Sequence, residues 1–248
     1  MSQHLCAPRE GHLQNIYKIF RYLQKNMEKN PGRIVFDPFL EHQPESVFEA
    51  GAKTPEEWND FYPDAFEALP RNMPEPLGNA VLIRAYVDAN HAGNLANRRS
   101  HSGIIIYVNN APIMWYSKRQ NTVESSSFGS ELVALRIATD MIEALRYKLR
   151  CMGVPIDGPA EVLCDNKSVV TNASVPASVV NKRHNAICYH RVREAQAAMI
   201  IKTGWIPGDL NLADLLTKTT MAGNVKDGFV RKLFHNDVVV IEMKKEEA

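Results

Sequence analysis

Two apolar segments of the chain each run into an aspartate, and this feature constrains the fold more than any other. Residues 81–87 (Val-Leu-Ile-Arg-Ala-Tyr-Val) precede Asp88, and residues 162–164 (Val-Leu-Cys) precede Asp165. Short apolar segments of this kind predict buried strands. An isolated carboxylate is costly to bury, so an acid at the end of a buried strand implies a bound cation or a polar partner. We therefore expect a charged site where these strands end.

Two further acids lie where helices would bring them to the same site. Glu131 stands four residues before Leu135, the first of a series of apolar residues at helical spacing, and Asp214 falls early in a helix predicted from Leu210. Carboxylates that hold two divalent cations about 4 Å apart can activate a water molecule and stabilise the leaving oxygen of a phosphodiester. On this basis four residues are predicted to be catalytic and to bind two metal ions, with the first of them as the bridging ligand: Asp88, Glu131, Asp165 and Asp214.

The order of the predicted elements indicates an α/β protein with one mixed sheet. Strands are predicted at residues 81–87, 103–108 and 112–117, with Asn109-Asn110-Ala111 as a tight turn between the last two. A long helix then follows Ser125-Ser126-Ser127 and ends at Gly153. After it come a strand at 161–164, a short helix near Asn166, an amphipathic segment at 181–199, a strand at 200–206 and the final helix. The first three strands form an antiparallel meander.

The chain divides into four predicted segments. Residues 1–30 contain an amphipathic helix at 12–29 that needs a partner surface, and residues 31–78 are a connector rich in proline, acids and aromatic residues. The functional domain is expected at residues 79–219, and residues 220–248 form a C-terminal tail with a short helix and an apolar run at 238–241.

Composition narrows the class of protein. With 248 residues, 45% hydrophobic and 23% charged, the chain can bury at least one full core. Its net charge of +1 gives no whole-molecule attraction to a polyanion, so a nucleic-acid surface must be local. The four cysteines lack the spacing of a zinc site. No signal-like start and no apolar stretch of roughly 20 residues is present, so we expect an intracellular, cytoplasmic protein.

Clusters of basic and polar residues are candidate contacts to nucleic acid. Cations and amides of this kind bind phosphates, and polar side chains can sense the 2′-hydroxyl groups of RNA. The predicted nucleic-acid-binding residues are Arg98, Arg99, Lys118, Arg119, Gln120, Ser127, Asn166, Lys182, Arg183 and His184.

Several motifs together resemble a known family. They lie at residues 86–93 (Tyr-Val-Asp-Ala-Asn-His-Ala-Gly), 98–103, 115–120 (Trp-Tyr-Ser-Lys-Arg-Gln), 124–131, 163–168 (Leu-Cys-Asp-Asn-Lys-Ser), 182–184, 189–194 and 212–218 (Leu-Ala-Asp-Leu-Leu-Thr-Lys). In this order they resemble the ribonuclease H domain of copia-type LTR retrotransposon polyproteins, over about residues 79–218. The helix at 12–29 is similar to the segment that joins the family's reverse transcriptase to this domain.

The resemblance implies a ribonuclease H-like fold and a metal-dependent endonuclease that degrades the RNA strand of RNA–DNA hybrids. It implies Mg²⁺ as the usual metal, with Mn²⁺ as a substitute, and the reverse transcriptase portion of the same polyprotein as a partner, in a particle if the element is active. All four acids of the family's catalytic set are present as Asp88, Glu131, Asp165 and Asp214.

Two departures from the family pattern bear on activity. Asn90 stands where the family often has an acid, and Pro207-Gly208-Asp209 stands where many relatives carry a mobile histidine. Without that histidine we expect slow turnover of the isolated chain, unless His184 or His190 substitutes for it. Two other hypotheses stay open: a catalytically idle or domesticated module that binds nucleic acid or a polymerase, and, as a distant third, an integrase-type strand-transfer enzyme.

Overall fold

Five strands form one sheet, and the strand that ends near Asp88 lies at its centre. In the computed structural model, which describes residues 9–26, 41–51, 54–94, 96–180, 183–218 and 223–234, the strands are β1 (Ile83–Asn90), β2 (His101–Val108), β3 (Ala111–Arg119), β4 (Ala160–Cys164) and β5 (Ile201–Trp205). Their order is β3-β2-β1-β4-β5. The first three strands pair antiparallel, whereas β4 is parallel to β1 and β5 is parallel to β4. This confirms the predicted fold class, the ribonuclease H-like arrangement.

One face of the sheet is covered by the long helix and its neighbours. Helix α2 (Ser127–Cys151) begins where the Ser126 hydroxyl accepts a hydrogen bond from the Gly129 amide, and it packs against β1 and β2. Helices α3 (Lys167–Ser174) and α4 (Ala186–Ala197) complete this layer. Apolar residues from β1, α2, β4 and α4 form the main core, including Val87, Leu135, Ile142, Val162 and Val192. Their burial on one side of the sheet stabilises the layer through the hydrophobic effect.

The opposite face is covered by short elements, among them part of the predicted connector. A 3₁₀ helix (Glu45–Phe48) lies against β5, and Gly204 allows this approach, because a Cβ atom there would stand 2.6 Å from Val47 Cγ1. The second core also contains residues of α5 (Asp214–Thr217) and α6 (Gly223–Phe234). Residues 41–51 therefore pack as part of the body that holds the sheet.

A buried arginine fixes the next part of the connector. Arg193 of α4 is 2% exposed, and its guanidinium lies over the rings of Trp58 and Tyr189, 4.9 and 4.7 Å from their centres. It also donates hydrogen bonds to backbone carbonyls, among them that of Val175. Glu67 makes a two-oxygen ion pair with Arg146 and also pairs with Arg150 of α2. These contacts attach residues 54–67 to the helical layer.

The chain separates into two units, residues 1–35 and 36–248. In the first, α1 (Glu10–Asn26) is the described element, and Leu13, Tyr17, Ile19 and Phe20 are exposed on it. The segment bounds at residues 30, 78 and 219 stay predictions. Among the described residues, no helix combines the length and the apolar character that crossing a bilayer requires.

One predicted element differs from the structure. The last helix was expected from Leu210, but a 3₁₀ turn (Gly208–Leu210) comes first and α5 begins only at Asp214. The reason is Asn211, which has an extended backbone and whose side chain donates to the Val87 carbonyl instead of continuing a helix. Within the amphipathic segment at 181–199, the described residues form a 3₁₀ turn (Arg183–Asn185) and then α4. The apolar run at 238–241 lies outside the described residues.

Candidate active site

Four separate elements bring the four predicted acids to one end of the central strands. Asp88 lies on β1, and Asp165 follows β4, which is the parallel neighbour of β1. Glu131 lies in the second turn of α2, and Asp214 is the first residue of α5. Parallel neighbours end at the same edge of a sheet, so Asp88 and Asp165 meet there. Asp88, Glu131 and Asp214 are buried, and Asp165 is partly exposed.

The carboxylates form two overlapping groups that share Asp165. Oxygen atoms of Asp88, Asp165 and Asp214 lie within 4.8 Å of one another. Glu131 and Asp165 form the second group with the thiol of Cys164, again within 4.8 Å. Cys164 is fully buried and donates to Glu131 Oε2 over 3.9 Å. The predicted quartet is thus brought together around one shared aspartate.

The ionisation of these acids reflects burial and mutual repulsion. Burial, together with the neighbouring charges of Asp88 and Asp165, raises the pKa of Glu131 to about 9. Burial also raises the pKa of Asp214 to about 6, although the ion pair with Lys218 opposes this change. The pKa of Asp165 is raised by burial and then by Asp88. The cluster is therefore short of positive charge in the absence of a metal ion.

Helix α5 positions Asp88 as well as Asp214. The Thr217 hydroxyl donates to Asp88 Oδ2, and the buried Asn211 side chain donates to the Val87 carbonyl over 2.9 Å. Asn90 donates from Nδ2 to the Thr217 carbonyl over 3.2 Å. A carboxylate at position 90 could not donate this bond. The departure from the family pattern at Asn90 therefore has a structural role, which is to tie the end of α5 to β1.

Trp205 at the end of β5 supports Asp165. Its indole Nε1 donates to the Asp165 carbonyl over 3.0 Å, which fixes the backbone that carries the carboxylate. The Lys167 ammonium lies over the Trp205 ring, 4.2 Å from its centre. The sequence pattern does not mark four further residues of the site, because their roles depend on tertiary contacts: Asn211, Trp205, Thr217 and Lys218. A polar residue inside the apolar run before Asp214 was the one available signal for Asn211.

Four of the predicted nucleic-acid-binding residues line one cavity. Lys118, Arg119, Gln120 and His184 border a cleft of about 480 Å³ between the end of β3, α2 and the start of α4. Lys118 and His184 are exposed, but Gln120 is buried, and its Nε2 donates to Ser102 and to the Ser130 carbonyl. Gln120 thus holds the first turn of α2 beside Glu131, and its contact with substrate stays a prediction.

The other described residues that were predicted to contact nucleic acid do not line this cleft. Arg98 and Arg99 belong to the loop between β1 and β2, with Arg98 exposed at a positive φ of 53°. Ser127 is exposed at the start of α2, whereas the Asn166 side chain caps α3 by accepting from the Val169 amide. Arg183 is exposed, and Lys182 lies outside the described residues.

The two histidines considered as catalytic substitutes each have another partner. His190 accepts or donates a 2.7 Å hydrogen bond with the Tyr62 hydroxyl, and His184 lies 3.5 Å from Glu124. His91, three residues after Asp88, is exposed and lies 3.4 Å from the Ser130 hydroxyl, next to Glu131. Of the three, His91 has the contact nearest in sequence to the four acids of the cluster.

The residues present fit divalent cations of the magnesium class. The donors are carboxylate oxygens, which hard cations prefer. Asp214 Oδ1 is buried and lacks a hydrogen-bond partner among the described residues, so a ligand position is available inside the cluster. The raised pKa values of Glu131 and Asp214 show that the site favours added positive charge.

Comparison with known proteins gives relatives for a little over half of the chain. It is 28% identical over 141 residues, 57% of its length, to the retrovirus-related Pol polyprotein from transposon RE2 of Arabidopsis thaliana. It is 44% identical over 73 residues to the secreted RxLR effector protein 161 of Plasmopara viticola, covering 29% of this chain and 51% of that protein. No family model matches the chain.

Solved ribonuclease H structures are also similar. One is ribonuclease H1 from Halobacterium salinarum, with 16% identity, a TM-score of 0.43, and coverage of 54% of this chain and 92% of that one. Another is LC11-RNase H1 in complex with an RNA/DNA hybrid, with 19% identity, a TM-score of 0.44, and coverage of 54% and 92%. The fold assignment rests on the strand order of this chain. The predicted relationship to retrotransposon Pol polyproteins is confirmed, over a segment that spans 10% of the Arabidopsis polyprotein.

Proposed function

We propose that the chain is a two-metal-ion ribonuclease H, an endonuclease that hydrolyses the RNA strand of RNA–DNA hybrids during reverse transcription of a retrotransposon. The observation that carries this proposal is the carboxylate cluster at the end of the central strands, with Asp165 shared between its two groups. Acids at this density, with raised pKa values in three of the four, are unusual outside cation sites and catalytic sites.

Each acid has a definite part in the proposed chemistry. Asp165 belongs to both carboxylate groups, and Asp88 interacts electrostatically with Glu131 while lying in the group of Asp165 and Asp214, so both aspartates would contribute to holding the two cations. Glu131 and Asp214 would each hold one of them. Divalent cations bound there would lower the pKa of the attacking water and neutralise charge on the leaving oxygen. Thr217 and Trp205 keep Asp88 and Asp165 in position through their hydrogen bonds.

Substrate binding is assigned to the predicted basic side chains. Lys118, Arg119 and His184 border one cleft beside α2, and Arg98 and Arg99 lie in the loop after β1. Salt-dependent contacts from these side chains to phosphates would position a hybrid without reading its sequence. A ribonuclease acting on hybrids must also contact 2′-hydroxyls, for which Ser127 and Asn166 stay the candidates.

The test is cleavage of a labelled RNA–DNA hybrid beside RNA-duplex and DNA-duplex controls, with Mg²⁺ or Mn²⁺, for wild type and Asp165→Asn. This substitution removes a metal-binding charge and keeps the side-chain size, so folding should be retained while cleavage is lost. Circular dichroism and thermal melting provide the folding control. Cleavage of the hybrid alone, abolished in the variant, is the expected result.

A folded wild-type protein that cuts nothing with either metal would refute nuclease activity of this chain by itself. Binding of hybrid in the same sample would then favour the idle, nucleic-acid-binding module. Supplying the reverse transcriptase portion of a related polyprotein in that assay would test the proposed partner, because activity restored by it would mean that the domain works only in the longer protein.

A further inference from the structure

We propose that Lys218 is the resident counter-ion of the carboxylate cluster, and that a divalent cation must displace its ammonium group from Asp214 in order to bind. This inference rests on the proposed metal-dependent function. It adds to that function a residue that sets how readily the site takes up metal.

The contact that supports this inference lies at the end of α5. Lys218 Nζ donates to Asp214 Oδ2 across one helical turn. The Lys218 side chain is 54% exposed, whereas that of Asp214 is 3% exposed. The ammonium therefore reaches a buried carboxylate from the solvent side, and it can leave that carboxylate without any movement of the backbone.

The two oxygens of Asp214 are in different environments. Oδ2 is paired with Lys218, and Oδ1 is buried without a hydrogen-bond partner among the described residues. Asp88, in the same group of carboxylates, already accepts the Thr217 hydroxyl on its Oδ2. Thr217, the last residue of α5, thus supplies a neutral hydrogen-bond donor to the metal-free cluster, and Lys218, which follows it, supplies a charged one.

The charge balance explains why the lysine and a metal ion should compete. Lys218 also interacts electrostatically with Asp88 and Asp165, so its charge offsets the repulsion among three carboxylates. A divalent cation that binds these carboxylates would stand a few ångströms from the ammonium, and two positive charges at that distance repel each other. Metal binding is therefore coupled to the departure of the ammonium from Asp214.

A second lysine near the site provides a matched control. Lys167 follows Asp165 by two residues, but its ammonium lies over the Trp205 ring instead of against a carboxylate. Replacing it removes one positive charge from the same region and leaves the Asp214 contact intact. An effect that is specific to Lys218 is thereby separated from a general change in local charge.

The experiment measures two quantities for each variant: the Mn²⁺ dissociation constant, by isothermal titration calorimetry, and the melting temperature of the metal-free protein. Lys218→Met should bind Mn²⁺ about tenfold more tightly, because a partly exposed like charge has been removed. Its metal-free form should melt at a lower temperature than wild type. Lys167→Met should leave the dissociation constant within a factor of about two, because solvent screens charges that do not touch.

Lys218→Arg gives an independent measurement in a variant that keeps the charge. The planar guanidinium can hold a carboxylate with two parallel hydrogen bonds, so Asp214 should be harder to free and Mn²⁺ should bind more weakly than to wild type. In an Asp214→Asn background, Lys218→Met should change both quantities by less than it does in the wild-type background, since the direct partner of the ammonium has been removed and only its interactions with Asp88 and Asp165 remain.

The outcomes separate this inference from the proposed function. If wild type binds Mn²⁺ and both Lys218 variants bind it with wild-type affinity, the exchange is refuted while the metal site stands. Weaker binding by Lys218→Met would likewise refute it, because the lysine would then support the metal instead of competing with it. Wild-type protein that is folded and binds no Mn²⁺ would overturn the metal site and, with it, the exchange.

Discussion

Replacing Gly103 with alanine should displace the helix that carries Asp214. Gly103 pairs with Asp88 in the sheet, and α5 packs directly on it. A Cβ atom at this position would lie 2.7 Å from Thr217 Cγ2, 2.8 Å from the Ala213 carbonyl oxygen and 3.0 Å from Leu216 Cβ. Because one of the obstructing atoms belongs to the backbone, rotation of a side chain cannot relieve the contact.

The size of the effect follows from these distances. Ordinary contact begins at 3.4 Å, so α5 or β2 must move by about 0.7 Å (3.4 − 2.7) to accept the methyl group. Overpacking of this kind costs about 1 to 3 kcal/mol of unfolding free energy. For a chain of this size that corresponds to a fall in melting temperature of roughly 2 to 4 °C per kcal/mol. Asp214 and Thr217 move with the helix, so metal affinity should fall as well.

The assay is thermal melting with and without Mg²⁺, followed by hybrid cleavage. Gly103→Ala should lower the melting temperature, and added Mg²⁺ should raise the melting temperature of this variant by less than it raises that of wild type. The matched control is Gly228→Ala in α6, where a Cβ atom meets nothing within 4 Å. That variant should be neutral or more stable, by about 0.5 to 1 kcal/mol, because alanine favours helix. A Gly103→Ala protein with wild-type melting, metal response and cleavage would refute the packing argument.

Three further predictions concern charge and support at the site. The raised pKa of Glu131 means that the folded state holds this proton more tightly than the unfolded state, so the metal-free melting temperature should fall as pH rises from the ordinary carboxyl range to about 9. Glu131→Gln should remove much of this dependence of the melting temperature on pH, and it should abolish cleavage. At pH 8 it should stabilise the metal-free protein by on the order of 1 to 3 kcal/mol. An unchanged pH dependence would contradict the raised pKa. Arg119→Ala should weaken hybrid binding, as measured by fluorescence anisotropy, and leave metal affinity unchanged. It should also reduce the slope of the logarithm of the binding constant against the logarithm of salt concentration by about one unit. Wild-type binding would remove Arg119 from the interface. Trp205→Phe should keep an aromatic ring under Lys167 and lose the hydrogen bond to the Asp165 carbonyl. It should lower stability by about 0.5 to 1.5 kcal/mol and reduce kcat more than it raises KM. Kinetics equal to those of wild type would leave this hydrogen bond without a role in catalysis.

The sheet and the four acids could be predicted because their signals are local. Alternating or continuous apolar segments mark β1 and β4, and each segment runs directly into its aspartate. The turn at Asn109-Asn110 marks the hairpin between β2 and β3, where Asn109 has a positive φ of 52°. The helical spacing after Ser126 likewise placed Glu131 on the buried face of α2.

The packing of residues 41–51 and 54–67 could not be predicted, because no periodic pattern marks it. It contains two 3₁₀ helices, Glu45–Phe48 and Pro55–Trp58. Single side chains fix it to the rest of the protein: Trp58 and Glu67 contact arginines that are more than 70 residues away in sequence. Only the fold shows that Arg193 has aromatic rings and carbonyls around it instead of a carboxylate. For the same reason, the sequence pattern predicted only a connector here.

Helix α5 shows why the completed site depends on tertiary contacts. It has four residues, too few for a helix that is stable by itself in water. Its position comes from Gly103, which lets it approach β2, and from Asn90 and Asn211, whose side chains bind it to β1. In return it supplies Asp214 to the cluster and a hydrogen bond to Asp88. Metal binding at these carboxylates and docking of α5 are therefore expected to stabilise each other, since each requires Asp214 and Asp88 in the same place.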